Sequence, residues 1–144
     1  LRLLWAQHVT AGVSETMGLR NLKSEMEFVR AWTIQVLCEG KTVSPSVLKE
    51  FARLAKEDPS PVVRLYLASA AQRLQVKDRW EIVQALFSHG EDSNDHNLPL
   101  MYWYAAEAIV SQDITKAVTL LNKTPIALLR QFLARRVASL SAAE

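Results

Sequence analysis

The chain has one cysteine, four glycines and five prolines among its 144 residues. A single cysteine excludes a disulfide framework and any metal site built from several thiolates. So few turn-forming residues exclude an all-β sandwich or barrel, whose short strands need a turn roughly every 8–12 residues. No apolar run approaches the ~18–20 residues that span a bilayer, so direct membrane insertion is not expected. A large charge excess of either sign is also missing, with 17 Lys and Arg against 15 Asp and Glu and a formal net charge of +2. That balance gives no reason to expect nucleic acid as a partner. The glycines are isolated, so there is no GxGxxG turn, no phosphate-cradling loop and no Gly-x-Ser-x-Gly nucleophile elbow.

What is present is apolar surface. Hydrophobic residues make up 49% of the chain and charged residues 22%, the composition of a folded domain rather than a disordered tail. Charge is distributed unevenly. Residues 1–76 carry 10 basic and 7 acidic groups, residues 77–115 carry 2 and 7, and residues 116–144 carry 5 and 1. The acidic middle and basic final quarter would give a polar surface whose sign changes along its length.

Helical periodicity runs through almost the whole chain. Asp58-Pro59-Ser60-Pro61 reads as a helix start, with a polar cap candidate and Pro in the first turn. Ser44-Pro45, Asp78 and Asp113 are further start signals. A repeat emerges when the apolar runs are aligned. Val29-Arg30, Val63-Arg64, Leu100-Met101 and Leu129-Arg130 recur at steps of 34, 37 and 29 residues. Two residues after each anchor stand Trp32, Tyr66, Trp103 and Phe132, although the chain has only 11 aromatic residues to distribute. Shorter leading helices are expected near 17–23, 45–55, 77–88 and 113–121, with 1–9 as the second helix of a preceding unit. A single pair cannot bury its own apolar faces, whereas stacked neighbours can.

The expected fold is therefore all-α: a short right-handed α-solenoid of about nine helices in HEAT-like antiparallel pairs. It forms one domain over 1–144, divided into 1–12, 13–40, 41–76, 77–111 and 112–144, and reads as a segment of a longer protein. Asp58-Pro59-Ser60-Pro61-Val62-Val63-Arg64 is the clearest HEAT-like copy. The first unit departs from it, with Ser24-Glu25-Met26-Glu27, and Met101 replaces the arginine in the third. In such repeats an arginine ties neighbouring turns together through aspartate. Arg30, Arg64 and Arg130 are the candidates for that role, and Met101 would interrupt the ladder.

Chemistry-bearing groups are sparse. His89, Glu91, Asp92, Asp95 and His96 form the one His/carboxylate cluster, in a loop whose spacing matches no established metal motif and lacks the Gly and distal Glu of a calcium loop. No metal or other cofactor is expected. Cys38 ends an apolar run and reads as a core residue. Arg130, Arg135 and Arg136 near Phe132 make a basic patch too short to track phosphates. No set of groups announces catalysis. The candidate interaction surface is Arg30, Arg64, His89, Asp92, Asp95, His96 and Tyr104. Alanine at Asp92 and Asp95 is expected to spare folding and to weaken docking.

Leu1-Arg2-Leu3-Leu4-Trp5-Ala6-Gln7-His8-Val9-Thr10, Val29-Arg30-Ala31-Trp32-Thr33-Ile34-Gln35, Asp58 to Ala70, and Asn97-Leu98-Pro99-Leu100-Met101-Tyr102-Trp103-Tyr104 follow one another in an order that resembles one family segment. It is similar to the HEAT-repeat region of the membrane-bound dehydrogenases of planctomycetes and their relatives. That resemblance implies an exported or periplasmic parent with a sugar-dehydrogenase-type propeller and a c-type haem module. No catalytic or haem-ligating residue of such a parent maps onto this chain. The segment would be a noncatalytic scaffold facing other domains of the parent or another protein. The alternatives are a contribution to the parent's active site and a purely structural spacer.

Overall fold

The computed structural model describes residues 1–40 and 42–142. Lys41, at the expected start of the unit 41–76, and the final Ala143 and Glu144 lie outside the described residues. Nine α-helices follow in order: α1 (Arg2–Ala11), α2 (Glu15–Asn21), α3 (Glu27–Leu37), α4 (Pro45–Glu57), α5 (Pro61–Ala71), α6 (Trp80–Leu86), α7 (Leu98–Val110), α8 (Ile114–Lys123) and α9 (Ala127–Ser141). Short 3₁₀ turns at Val76–Asp78 and Gly90–Asn94 flank α6, and the described residues contain no strand.

Local chemistry fixes several of these boundaries. The Ser44 hydroxyl accepts the Val47 N–H and Ser60 accepts the Val63 N–H, each followed by Pro in the first turn. Asp113 caps α8 through the Lys116 N–H, and Ser14 caps α2 through Met17. Each cap satisfies one of the donors a helix start leaves open, and each proline sits where no N–H is needed. Asp78 does not start a helix. It lies in the 3₁₀ turn, and α6 begins at Trp80 without a side-chain cap. The leading helix expected over 77–88 is thus split into a turn and a shorter helix.

Packing follows two rows. In one, α1 meets α3, α3 meets α5, α5 meets α7 and α7 meets α9; in the other, α2 meets α4 and α4 meets α6. The rows are joined by the pairs α2–α3, α4–α5, α6–α7 and α8–α9. Between them lies one continuous core, whose largest fully buried side chains include Tyr102, Phe51, Phe87, Leu22, Ile34 and Leu67. The two kinds of helix differ as this arrangement requires. α4 buries one stripe, Val47, Phe51, Leu54 and Ala55, and keeps charges on its other face. α5 and α7 are packed on several sides and are apolar nearly all round.

Burial also sets the phase between units. Val63, Leu67, Ala70, Ala71 and Leu74 are buried on α5 and just beyond it. Leu98, Tyr102, Ala105, Ala106 and Ile109, each 35 positions later, are buried on α7. The step is therefore 35, not the 37 read from the aromatic letters. It places Pro99 opposite Arg64, and Met101 opposite Tyr66. Leu129 and Leu133 continue the phase from Leu98 and Tyr102, which puts Arg130 in the arginine position of α9. Met101 does not occupy the arginine position; Pro99 does.

Leu67 is fully buried at the centre of α5. Leu67→Ala is expected to destabilise the fold by about 2–5 kcal/mol, read as a fall in the midpoint of urea unfolding with little change in slope.

Candidate functional site

The best-built polar feature is a pair of equivalent clamps at the loops between helices. The Arg30 Nε–H donates to Asp58 Oδ2 at 2.6 Å and Nη2 donates to Oδ1 at 2.8 Å. Its Nη1 donates to the carbonyls of Ser24 at 2.7 Å and Glu25 at 3.1 Å. Arg64 repeats the arrangement one unit on. Its Nε–H reaches Asp92 Oδ2 at 2.7 Å, Nη2 reaches Oδ1 at 2.6 Å and Nη1 reaches the Asp58 carbonyl at 3.0 Å. In both cases the guanidinium presents its two-pronged edge to a carboxylate 28 residues later and uses its third arm on its own loop. A planar fork matched to a carboxylate is what arginine offers and lysine does not.

The second clamp is the deeper one. Arg64 is 3% exposed and Asp92 is 4% exposed. Tyr102 on α7 adds its hydroxyl, which donates to Asp92 Oδ2 at 2.5 Å. Burial works against the Arg64 charge, but the Asp92 hydrogen bonds offset it and hold the guanidinium above its ordinary range. Burial, with the Asp92 bond, pushes the Tyr102 phenol well above the usual tyrosine range, so that phenol remains a donor. Arg30 is also raised, chiefly by its hydrogen bonds to Asp58.

A turn accompanies each loop. Ser24, Asp58, Asp95 and Thr124 each accept, through a side-chain oxygen, the N–H of the residue two positions on. These are the local turns that short polar side chains form with their own backbone. Thr124 shows why the ladder stops. It lies six residues before Arg130, as Asp58 lies six before Arg64, yet no arginine of α7 can reach it, because Pro99 holds that position. A carboxylate there would be buried without a cation. Thr124, 3% exposed, donates instead to the Phe87 carbonyl at 2.8 Å. Arg130 still makes the third-arm contact, from Nη1 to the Thr124 carbonyl at 2.9 Å.

These positions correct the expected interaction surface. Arg64, Asp92 and His89 are buried, and Arg30 is mostly so, all engaged within the chain. They join units together and are not a free face. Asp95 and His96 are exposed in the loop, and Asp95 also accepts the Leu98 N–H at 2.8 Å. Tyr104 is 50% exposed. Among the described residues no three His, Cys, Asp or Glu side chains converge to hold a metal. Cys38 is buried, and burial pushes its thiol up to about 11. In the basic patch, Arg136 is held by the Ser111 hydroxyl at 2.9 and 3.2 Å, and Phe132 stacks on Trp103 at 5.3 Å.

The aromatic row is only partly continuous. Trp5 lies 4.5 Å from Trp32 and Trp32 lies 5.8 Å from Tyr66, centroid to centroid. The next ring pair is Trp103 with Phe132. Between these two runs Met101 occupies the position an aromatic would need. A cleft of about 570 Å³ opens there across α3, α5 and α7, lined by Trp32, Tyr66, Leu100, Met101 and Tyr104 with the polar side chains of Gln35, Ser69 and Asn97. Sequence reading missed this cleft and the Tyr102 contact. The clamps carry a signal that could have been found, the equal 28-residue span from Arg30 to Asp58 and from Arg64 to Asp92.

Comparison with protein-family profiles, curated proteins and solved structures found no match to this chain.

The two aspartates of the loop should separate cleanly. Asp92→Ala strands a buried guanidinium and is expected to cost about 3–5 kcal/mol. Asp95→Ala removes only an exposed turn and cap, and is expected to cost about 1 kcal/mol. Chemical denaturation of both variants measures the difference, and it replaces the expectation that both substitutions spare the fold. The Leu98 and Asn97 N–H groups hold the Asp95 carboxyl below the usual aspartate range. Its contribution is therefore present above the unfolded-state value and lost as the pH falls through the folded one.

Proposed function

We propose that the chain is a noncatalytic interaction scaffold, a HEAT-type solenoid segment of antiparallel helix pairs that docks another domain of a larger protein or a second protein. The two-row order of packing, with short connections between paired helices and a clamp repeated at one fixed span, supports the solenoid reading. Stacked units of this kind extend a surface in one dimension and use it to bind.

The observation that carries the docking role is the cleft between α5 and α7. It is open, rich in aromatic and aliphatic side chains, and flanked by exposed Tyr104 and Leu100. Such a concave apolar site with a few polar groups is the form binding sites take. The ionisable groups of the clamps are engaged in holding units together, which favours scaffolding over catalysis. In the dehydrogenase-like setting that the motif order suggests, this segment would hold other domains while the redox chemistry lies elsewhere.

Leu100→Asp combined with Tyr104→Ala alters only exposed positions and is expected to shift stability by no more than about 0.5 kcal/mol. Immobilised wild-type chain is expected to retain a partner that this double variant, folded by circular dichroism, binds at least about tenfold more weakly. Equal retention by both would move docking off the cleft. Retention by neither would favour a spacer.

A further inference from the structure

His89 sits between two acceptors. Its Nε2 lies 2.7 Å from the Ala55 carbonyl in the last turn of α4, and its Nδ1 lies 2.6 Å from Glu91 Oε1. The Ala55 carbonyl needs an outside donor because of the sequence. Its intrahelical donor would come from residue 59, and Pro59 has no N–H. The imidazole from the next unit fills that vacancy at the end of a helix, where a cation is also favoured by the helix dipole.

A backbone carbonyl only accepts. Glu91 also only accepts, because its carboxyl is held below the usual glutamate range, first by the hydrogen bond from His89 and then by backbone hydrogen bonding. A neutral imidazole has one N–H and one lone pair. In either tautomer that lone pair would face an oxygen at 2.6 or 2.7 Å. Only the imidazolium satisfies both contacts.

We propose that His89 is a pH-sensitive latch that ties the end of α4 to the loop carrying Asp92. With the ring doubly protonated, both bonds hold and the joint between the α4–α5 and α6–α7 units is closed. When the ring loses a proton as the pH rises, one bond becomes a repulsion between lone pairs and the loop Gly90–Asn94 loosens from α4. The charged groups around the ring fit this behaviour. Glu91 and Asp92 come from its own loop. Arg64 comes from α5, with Nη2 3.9 Å from Glu91 Oε1, and its closer pairing is with Asp92, at 2.6 Å. α4 contributes the Ala55 carbonyl, and the α8–α9 connection contributes the apolar Pro125 beside Gly90.

The test is backbone amide exchange, corrected for its intrinsic pH dependence, at Asp92 and Asp95. Both of these amides donate within the loop, to His89 and Asp92 carbonyls. Between about pH 5.5 and about pH 8.5, which bracket imidazole titration, wild-type protection is expected to fall about tenfold or more, the worth of one charge-assisted hydrogen bond. Glu91→Gln alters a side chain that is 60% exposed and supplies an amide N–H to a neutral ring Nδ1. In that variant protection is expected to remain high at both pH values. A constant wild-type protection, or an equal fall in Glu91→Gln, overturns the proposal. Nitrogen-15 NMR of the His89 ring gives a direct second readout. Two protonated ring nitrogens at the acidic pH support the latch, and a single one contradicts it.

Discussion

A buried guanidinium is the constraint around which this fold is arranged. Arg64 lies on a helix packed on several sides, so its charge cannot reach water without disturbing the core. Removing a cation from water costs several kcal/mol unless its donors are met with good geometry. Here they are met by Asp92 from the following unit, by the Asp58 carbonyl of its own loop and indirectly by Tyr102, which steadies the carboxylate. The requirement fixes where the loop Gly90–Asn94 runs and how α7 is seated on α5. Arg30 and Asp58 repeat the solution one unit earlier, and Ser60, capping α5, also donates its hydroxyl to Glu27 at the start of α3. Helix capping and unit stacking thus share the same side chains.

Where the arginine is missing, neighbouring residues change with it. Pro99 takes the arginine position on α7, and the next loop presents the neutral Thr124 in place of an aspartate. The joint between the last two pairs is made by a hydroxyl on a helix-end carbonyl. The same type of contact recurs at the preceding joint, where His89 caps the end of α4. The ends of α4 and α6 are therefore each closed by a side chain from the next unit. The residue chosen differs from joint to joint, and with it the response to solution conditions. Along the first row, aromatic contacts run beside the arginine clamps. They extend from Trp5 to Tyr66, lapse at Met101 and resume at Trp103, and the lapse leaves the cleft.

Much of the architecture was legible in the sequence because it is encoded locally. Helical period, the Ser-Pro starts at Ser44 and Ser60, and the Asp113 cap are properties of neighbouring residues, and they predicted an all-α chain of about nine helices, as observed. The phase of the third unit was not legible. Aligning Trp103 with Tyr66 matched residue type, whereas burial aligns Met101 with Tyr66, a two-residue shift that shows only once the buried positions of α5 and α7 are compared. All seven candidate site residues were read as a surface near the aromatic seam and the acidic loop. Four of them, Arg30, Arg64, His89 and Asp92, are drawn inward by partners 28 to 34 residues away, and pairing at that distance is visible only once the helices are stacked. Tyr104 is exposed and lines the cleft that sequence reading missed, and nothing local distinguished it from Tyr102, which is buried.

The central claim is that the Arg64–Asp92 pair couples two successive units. A double-mutant cycle with Arg64→Met and Asp92→Leu, followed by chemical denaturation, tests it directly. Each single variant leaves one buried charge without its partner, so each is expected to cost more than the double variant, which leaves neither, and the coupling energy should exceed about 2 kcal/mol. Costs that simply add would contradict the account, because they would mean that the two side chains contribute independently and that the stacking of the units does not depend on their pairing.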